Sequence, residues 1–239
     1  DQRYDVEGRK SGYLYMGEST RALQDDDFQN PGFFAVERGR QIWDTVEGTE
    51  GLSCASCHED AAATMRGVAT RYPVYDSDRG GLVDLDLQIN DMRTRLMGAA
   101  PYPYESEDLL ALGAFVAFQS RGMPIDVQID GPARPHFKAG RAFYFRRRGQ
   151  LDLSCSQCHD DRSGMRLRGD VISQGQVNGF PLYRLLWRQV ASRLRMFEWC
   201  NQSIRAEPFP LDSAEYRDLE VYVAWRGRGL PIEAPAIRR

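Results

Sequence analysis

Apolar residues recur at three- and four-residue spacing in several separate stretches of the chain, which is the spacing of one face of an α-helix. In the first stretch Phe33, Val36 and Trp43, together with Phe34 and Val46, predict a helix with one broad apolar face. A shorter helix is predicted over residues 85–96, and longer helices end at the Gly and Pro residues near 122–124 and 229–231. Loops rich in Gly and Pro separate these stretches, so the pattern predicts a mainly α fold.

Two of the predicted helices begin with capping signals. Ser106 is followed by two acidic residues, which favour a helix N-terminus there, and Asp212 with Glu215 is predicted to form a capping box for the last helix. The first 30 residues are polar and end in three consecutive aspartates, which is typical of an irregular arm, and we expect this arm to wrap over the first domain.

The second half of the chain repeats landmarks of the first. The segment FQSRGMPI at 118–125 parallels WRGRGLPI at 225–232, and a Gly-Arg pair precedes each of two cysteine motifs by 15 residues. Landmarks in the same order around the same motif indicate a duplicated unit. We therefore predict two tandem domains at 31–130 and 131–239, preceded by the arm at 1–30.

The repeated motif is Cys-x-x-Cys-His, which is typical of covalent haem c attachment. In the first copy Cys54 and Cys57 would form thioethers with the haem vinyl groups, and His58 would be the proximal iron ligand. The second copy consists of Cys155, Cys158 and His159. The sequence thus predicts two covalently bound haem c groups, one in each of two cytochrome c-like domains.

Zinc binding and disulfide bonding are the alternatives for these cysteines. A zinc site needs about four Cys or His ligands in one cluster, whereas the 96 residues between the motifs contain no other Cys and only one other His, His136. Five cysteines are an odd number, and thioethers account for each close pair better than a disulfide does. Haem is therefore the interpretation that the pattern favours.

Composition and charge narrow the setting in which the protein acts. No run of 18 apolar residues occurs, so no membrane insertion is expected, and haem c attachment predicts a periplasmic location after removal of a signal peptide. Residues 1–133 carry a formal charge of −11 and residues 134–239 a charge of +8, which indicates either two solvated surfaces or an anion site in the second half. The basic residues are mostly Arg scattered among Leu, Phe and Trp, which argues against nucleic-acid binding.

Cys200 is the one cysteine outside the attachment motifs, 41 residues after His159. Spacing alone leaves two interpretations open. It is either a small buried apolar residue or a thiolate ligand on the far side of the second haem.

The segment from Cys200 to Pro208 has the sequence CNQSIRAEP. It comes after the second haem motif, the pair Gly169-Asp170 and residues 181–184. This order of segments resembles the SoxA family of c-type cytochromes. The resemblance covers most of both repeats. It implies an L-cysteine S-thiosulfotransferase that joins thiosulfate to a cysteine thiol of the carrier protein SoxYZ and passes two electrons to haem. It also implies a heterodimer with the monohaem cytochrome SoxX, and Cys200 as an iron ligand that can carry a persulfide.

The resemblance leaves the sixth ligand of the first haem undecided, because this chain has no cysteine at the place where related diheme proteins often have one. We predict Met92 there, with Met97 as the alternative. Among the arginines of the second half, Arg195 and Arg205 are predicted to bind thiosulfate beside Cys200, because they lie nearest to it in sequence. A diheme electron carrier without substrate and a thiosulfate dehydrogenase forming tetrathionate remain the alternative functions.

Overall fold

A computed structural model of the chain describes residues 2–239 and shows a mainly helical fold, as predicted. The described part holds these α-helices: α1 (Glu18–Asp25), α2 (Phe33–Asp44), α3 (Cys54–His58), α4 (Ala61–Thr64), α5 (Leu85–Arg95), α6 (Glu107–Phe118), α7 (Arg134–Phe145), α8 (Cys155–His159), α9 (Arg193–Ser203) and α10 (Ala214–Arg226). The strands are short: β1 (Asp5–Val6), β2 (Arg9–Lys10), β3 (Val74–Asp76), β4 (Gly81–Val83), β5 (Arg166–Leu167), β6 (Asp170–Val171), β7 (Leu182–Arg184), β8 (Gln189–Ala191) and β9 (Ala236–Arg238).

Each half of the chain is built on a pair of crossed helices, α2 with α6 and α7 with α10. A glycine lies at each crossing. A Cβ on Gly39 would collide with the backbone carbonyl of Ala111, and a Cβ on Gly140 would collide with that of Asp218. The two Gly-Arg landmarks of the sequence are therefore positions where only glycine lets two helix backbones approach so closely.

In each half a β-hairpin and a helix follow the haem-attachment motif. The hairpin β3–β4 precedes α5, and the hairpin β7–β8 precedes α9. The two hairpins pair in the same register, because Asp76 lies opposite Gly81 in the first and Arg184 lies opposite Gln189 in the second. The second hairpin is extended by β9, which runs parallel to β7.

The two repeats meet at the duplicated Gly-x-Pro-Ile segments and exchange reciprocal hydrogen bonds. The amide of Ile125 donates to the carbonyl of Leu230, and the amide of Ile232 donates to that of Met123. The two prolines of these segments form the bridge Pro124–Pro231. This reciprocity gives the duplicated chain a local two-fold arrangement, in which α6 contacts β8 and α10 contacts β4.

The predicted placement of the N-terminal arm is wrong. The arm contains the helix α1 and packs on the end of the chain, where Ser11 and Gln24 donate to the buried carboxylate of Glu233. Arg238 supplies an ion pair to the same carboxylate at 2.7 Å. Because a buried carboxylate must be hydrogen-bonded and paired, most of the arm docks at Glu233 in the second half. Its end also contacts the first half, through the ion pair of Asp27 with Arg121.

Two details of the predicted helices also differ. Phe34 and Val46 are 82% and 62% exposed, so the apolar face of α2 is narrower than predicted. The last helix is capped by Ser213, whose hydroxyl accepts from the amide of Tyr216, rather than by Asp212 and Glu215. Ser106 caps α6 as predicted. Among residues 2–239, no helix is long and apolar enough to cross a membrane.

Candidate haem sites and the Cys200 crevice

The first attachment motif forms the single short helix α3. Ser53 caps this helix and exchanges hydrogen bonds with Ser56, and the spacing of Cys54 and Cys57 puts both thiols on one side of the turn. The imidazole of His58 packs against the indole of Trp43, with ring centroids 5.7 Å apart. Trp43 in turn donates its indole N–H to the carbonyl of Glu59 at 3.0 Å, which fixes the chain at the end of the motif.

The second motif forms the equivalent helix α8, capped by Ser154 with Gln157 in the reciprocal position. More side chains hold its end than in the first copy. Asp160, directly after the histidine, accepts from the hydroxyl of Tyr144 at 3.0 Å and forms an ion pair with Arg226. The second motif is therefore held against both α7 and α10.

His159 is oriented through its ring nitrogens. Its Nδ1 lies 2.8 Å from the backbone carbonyl of Ser173, and because a carbonyl can only accept, Nδ1 carries the proton. Gly175 lets the same loop pack on the ring, since a Cβ there would lie 2.9 Å from the imidazole. Burial lowers the pKa of His159, so the ring stays neutral and the lone pair of Nε2 is left for a metal.

The thiols and histidines fit haem c better than the two alternatives. All five cysteines are free thiols, so none of them is used in a disulfide. Within the described residues, no group of three or more His, Cys, Asp or Glu side chains is arranged to hold a metal ion by itself. A metal brought by a porphyrin, with one imidazole from the motif, needs no such cluster.

Cys200 lies on α9 and faces the second attachment motif. Burial is the main cause that raises the pKa of its thiol to about 11; the guanidinium of Arg184 opposes this shift, and the charge of Cys158 adds to it. Burial also raises the pKa of Cys155 to about 12, and Cys200 is the strongest charged influence on it. The thiols of Cys155, Cys158 and Cys200 thus lie near enough to act on one another's charge, and we call their surroundings the Cys200 crevice.

Arg184 is the cation that acts on the Cys200 thiol. Its guanidinium carbon lies 5.4 Å from the ring centre of Trp187 and 5.3 Å from that of Trp199. The Nη2 atom of Arg184 lies 3.7 Å from a carboxylate oxygen of Asp170. Burial lowers the pKa of Arg184, and the negative charges of Asp170 and Cys200 oppose that shift, so they favour the charged guanidinium.

The two arginines ranked first from the sequence lie elsewhere around the crevice. The guanidinium carbon of Arg195 lies 4.5 Å from the ring centre of Trp187. Arg195 also acts on Glu105: burial raises the pKa of that carboxyl group, and the charge of Arg195 opposes the shift. Arg205 is exposed and has a positive φ of 56°. Their roles in substrate binding stay predictions. Distance along the chain gave Arg184 a lower rank, although the β7–β8 hairpin brings it back beside α9.

Met92 and Cys200 have equivalent places in the two repeats. Met92 stands eight residues after Asp84, the cap of α5, and Cys200 stands eight residues after Ser192, the cap of α9. Met97 is only 5% exposed, and its carbonyl accepts from the amide of Glu50, so it belongs to the packing below the ligand helix. The register of the repeats therefore supports Met92 rather than Met97 as the sixth ligand, which stays a prediction.

Comparison with known proteins agrees with this architecture. The sequence model of the SoxA/TsdA cytochrome c domain matches residues 38–125. L-cysteine S-thiosulfotransferase subunit SoxA from Pseudaminobacter salicylatoxidans is 44% identical over 230 residues, which are 96% of this chain and 80% of that protein. The chain belongs to the SoxA family. The subunit of the same name from Rhodovulum sulfidophilum is 43% identical over 96% of this chain and 80% of its own length.

The fold of the SoxA family extends over the whole of both repeats. A chain in the crystal structure of SoxXA from P. pantotrophus superposes with a TM-score of 0.93 at 39% identity, covering 96% of this chain and 87% of that one. The predicted fold class, with cytochrome c-like halves, is confirmed. The second repeat, with Cys200 and Arg184, lies outside the matched 38–125 range but inside the regions matched by the SoxA relatives.

Proposed function

We propose that this chain is the SoxA subunit of an L-cysteine S-thiosulfotransferase, which couples thiosulfate oxidatively to a cysteine thiol of the carrier protein SoxYZ. The SoxA relatives are named as subunits of an L-cysteine S-thiosulfotransferase, and their similarity to this chain supports the proposal. The observation that carries the proposal is the Cys200 crevice, where a thiol and the cation of Arg184 lie together beside the second haem motif.

The overall reaction forms one sulfur–sulfur bond. Thiosulfate and the carrier thiol lose two electrons together, the thiol releases its proton, and the product is a cysteine S-thiosulfonate. The haem, when bound, supplies an electron acceptor and an iron atom for the ligands. In the first site Cys54 and Cys57 would hold it and His58 and Met92 would bind its iron. In the second site the haem would be held by Cys155 and Cys158, and its iron would be bound by His159 and Cys200.

The residues of the second site divide the work between binding and orientation. Ser173 keeps the proton of His159 on Nδ1 and so directs Nε2 toward the iron. Arg184 offsets the negative charge that thiosulfate and the Cys200 thiolate bring into a buried space. An oxidised Cys200, or a persulfide on it, would be a sulfur electrophile that can accept or pass a sulfur atom. Arg195 and Arg205 are proposed as further contacts for the anion.

The first site would act as an electron relay, because a thioether ligand such as Met92 raises the potential of a haem relative to a thiolate. We further propose that the chain pairs with SoxX, as in the SoxXA complex that it resembles, and that the complex acts in the periplasm.

Turnover with thiosulfate in the presence and absence of the SoxYZ thiol separates this function from the alternatives. We expect product only on the carrier. Tetrathionate without the carrier would instead indicate a thiosulfate dehydrogenase, and no turnover with either would leave an electron carrier. Intact mass of the purified chain tests the cofactors, since two haem c groups and one extra sulfur at Cys200 each add a defined mass.

A further inference from the structure

Three carboxyl groups meet where the two repeats join; those of Asp84 and Glu220 are buried, and that of Asp86 is half-buried. Asp84 is the cap of α5, Asp86 lies in its first turn, and Glu220 lies in the middle of α10. They line one small cavity with Phe180, Pro181 and Arg193. We call these three acids the junction acids.

Glu220 is the least exposed of the junction acids, at 1%, and neither of its carboxylate oxygens has a well-directed hydrogen bond in the described structure. The Nε of Arg193 lies 3.1 Å from one of these oxygens, so the two side chains are paired by charge alone. Asp84 is 3% exposed, and one oxygen accepts from the amide of Leu87 at 2.7 Å while the other has no partner.

The cations around the junction acids are too few for all three to be ionised. Arg193 and Arg217 oppose the charge of Glu220 and Asp84, and Asp86 is favoured by Arg193 alone. Glu105, from the loop before α6, adds further negative charge next to Asp86. The titratable and charged groups facing the junction acids from the packed elements are Tyr72, Tyr104, Glu105, Arg193 and Arg217.

Burial raises the pKa of all three junction acids, that of Asp86 well above its ordinary value and that of Glu220 to about 8. The cause is desolvation of the charged forms, with the mutual repulsion of the acids added to it. Protons are therefore held at this junction near neutral pH, and because the groups interact, they titrate together.

The junction acids are connected to both proposed sixth ligands. Asp84 caps α5, which carries Met92, and Arg193 is the first residue of α9, which carries Cys200. With a rise of 1.5 Å per residue, each ligand lies about 10 Å along its helix from the junction. Buried charges at such a distance are screened much less than surface charges, so a change of charge at either end is felt at the other.

We propose that the junction acids are a proton-binding site linked to the redox state of the two haems. When an external reductant adds an electron to a haem, the local positive charge falls. A carboxylate of the junction then binds a proton from solvent and forms an O–H bond. By reciprocity, protonation of the junction favours haem reduction. The inference rests on the haem sites proposed above, but not on the thiosulfate activity.

Potentiometric titration of the holoprotein from pH 6 to pH 9 tests this link, with haem content measured first by pyridine haemochrome absorbance. We expect the midpoint potential of at least one haem to fall as pH rises, approaching at most about 59 mV for each tenfold drop in proton concentration. Glu220→Gln should reduce that slope by at least half. Glu215→Gln, an exposed carboxylate on the same helix, is the matched control and should leave the slope unchanged. Equal slopes in Glu220→Gln and the wild type overturn the proposal.

Infrared difference spectroscopy at pH 7 gives a readout that does not need turnover. A protonated carboxyl band that shifts with reduction and is lost in Glu220→Gln supports the site, and absence of such a band in the wild type contradicts it. If Glu220→Gln does not load haem, Asp86→Asn serves instead. Removing one acid should move the break in the potential–pH curve to lower pH, and an unmoved break overturns the proposal.

Discussion

The two repeats share a scaffold and differ in what they place on it. The hairpin position that is Arg184 in the second repeat is Asp76 in the first, since both lie at the same place in the register. The ligand-helix position that is Cys200 in the second is Met92 in the first. A thiol that would bind iron as a thiolate thus comes with a cation, and a neutral thioether comes with an acid that pairs with Arg79. The duplicated fold explains the shared geometry, and the pair of substitutions explains why only one site should do sulfur chemistry.

The second repeat also holds its histidine more tightly. The loop containing Ser173 and Gly175 binds His159, whereas His58 has no hydrogen bond to its ring among the described residues and rests on Trp43. The longer connection between α8 and β7, which forms the hairpin β5–β6, makes room for that loop. Orientation of the ring is therefore expected to be stricter at the proposed reaction site than at the relay.

The largest expected effect is that of removing the thiol. Cys200→Met should retain fold and haem but lower the rate of coupling thiosulfate to the carrier thiol by about a thousandfold or more, because the sulfur that would accept or pass the thiosulfate sulfur is lost. Turnover assays check this, with Ser203→Ala on the exposed part of the same helix as the control. Turnover at the wild-type rate would make Cys200 a spectator.

The second effect concerns the cation. Arg184→Gln should lower turnover by about 10 to 100-fold, since a buried positive charge next to the developing anion is lost. The matched change in the first repeat, Asp76→Asn, should change turnover less than twofold. Equal losses in the two variants would mean that the hairpins contribute only to folding.

A third effect is on stability and concerns the junction between the repeats. The pKa of Glu220 is raised from 4.5 to about 8, so the folded state binds more protons than the unfolded state between these values. Stability is then highest below about pH 4.5 for this group and is lost as pH rises toward 8, by about 5 kcal/mol. Thermal unfolding between pH 5 and 8 should show a weaker pH dependence in Glu220→Gln. A parallel decline in both proteins contradicts the assignment.

The smallest effects are expected at the outer arginines. Arg195→Gln and Arg205→Gln should each raise KM for thiosulfate by about two- to fivefold with little change in kcat. The guanidinium that acts on the Cys200 thiol is that of Arg184, and charges at the rim of a site mainly affect the encounter with the substrate. Steady-state kinetics at two ionic strengths check this. A loss as large as that of Arg184→Gln would restore the ranking made from the sequence.

Much of the fold could be predicted because its signals are local. The Cys-x-x-Cys-His motifs, the helix periodicity, Gly39 with Gly140 and the duplicated Gly-x-Pro-Ile segments each carry their structural meaning within a few residues. The arm could not be placed, because its docking depends on Glu233 at the other end of the chain. The nearness of Arg184 to Cys200 could not be predicted either, since a hairpin rather than sequence distance brings the two together.

The most direct test of the difference between the repeats is low-temperature electron paramagnetic resonance of the ferric protein, recorded for the wild type and for Cys200→Met. One low-spin haem with histidine and thiolate ligands and one with histidine and thioether ligands are expected in the wild type, and two of the thioether type in the variant. A wild-type spectrum with two haems of the same ligand type, unchanged in Cys200→Met, would contradict the assignment of Cys200 and Met92 to distinct sites.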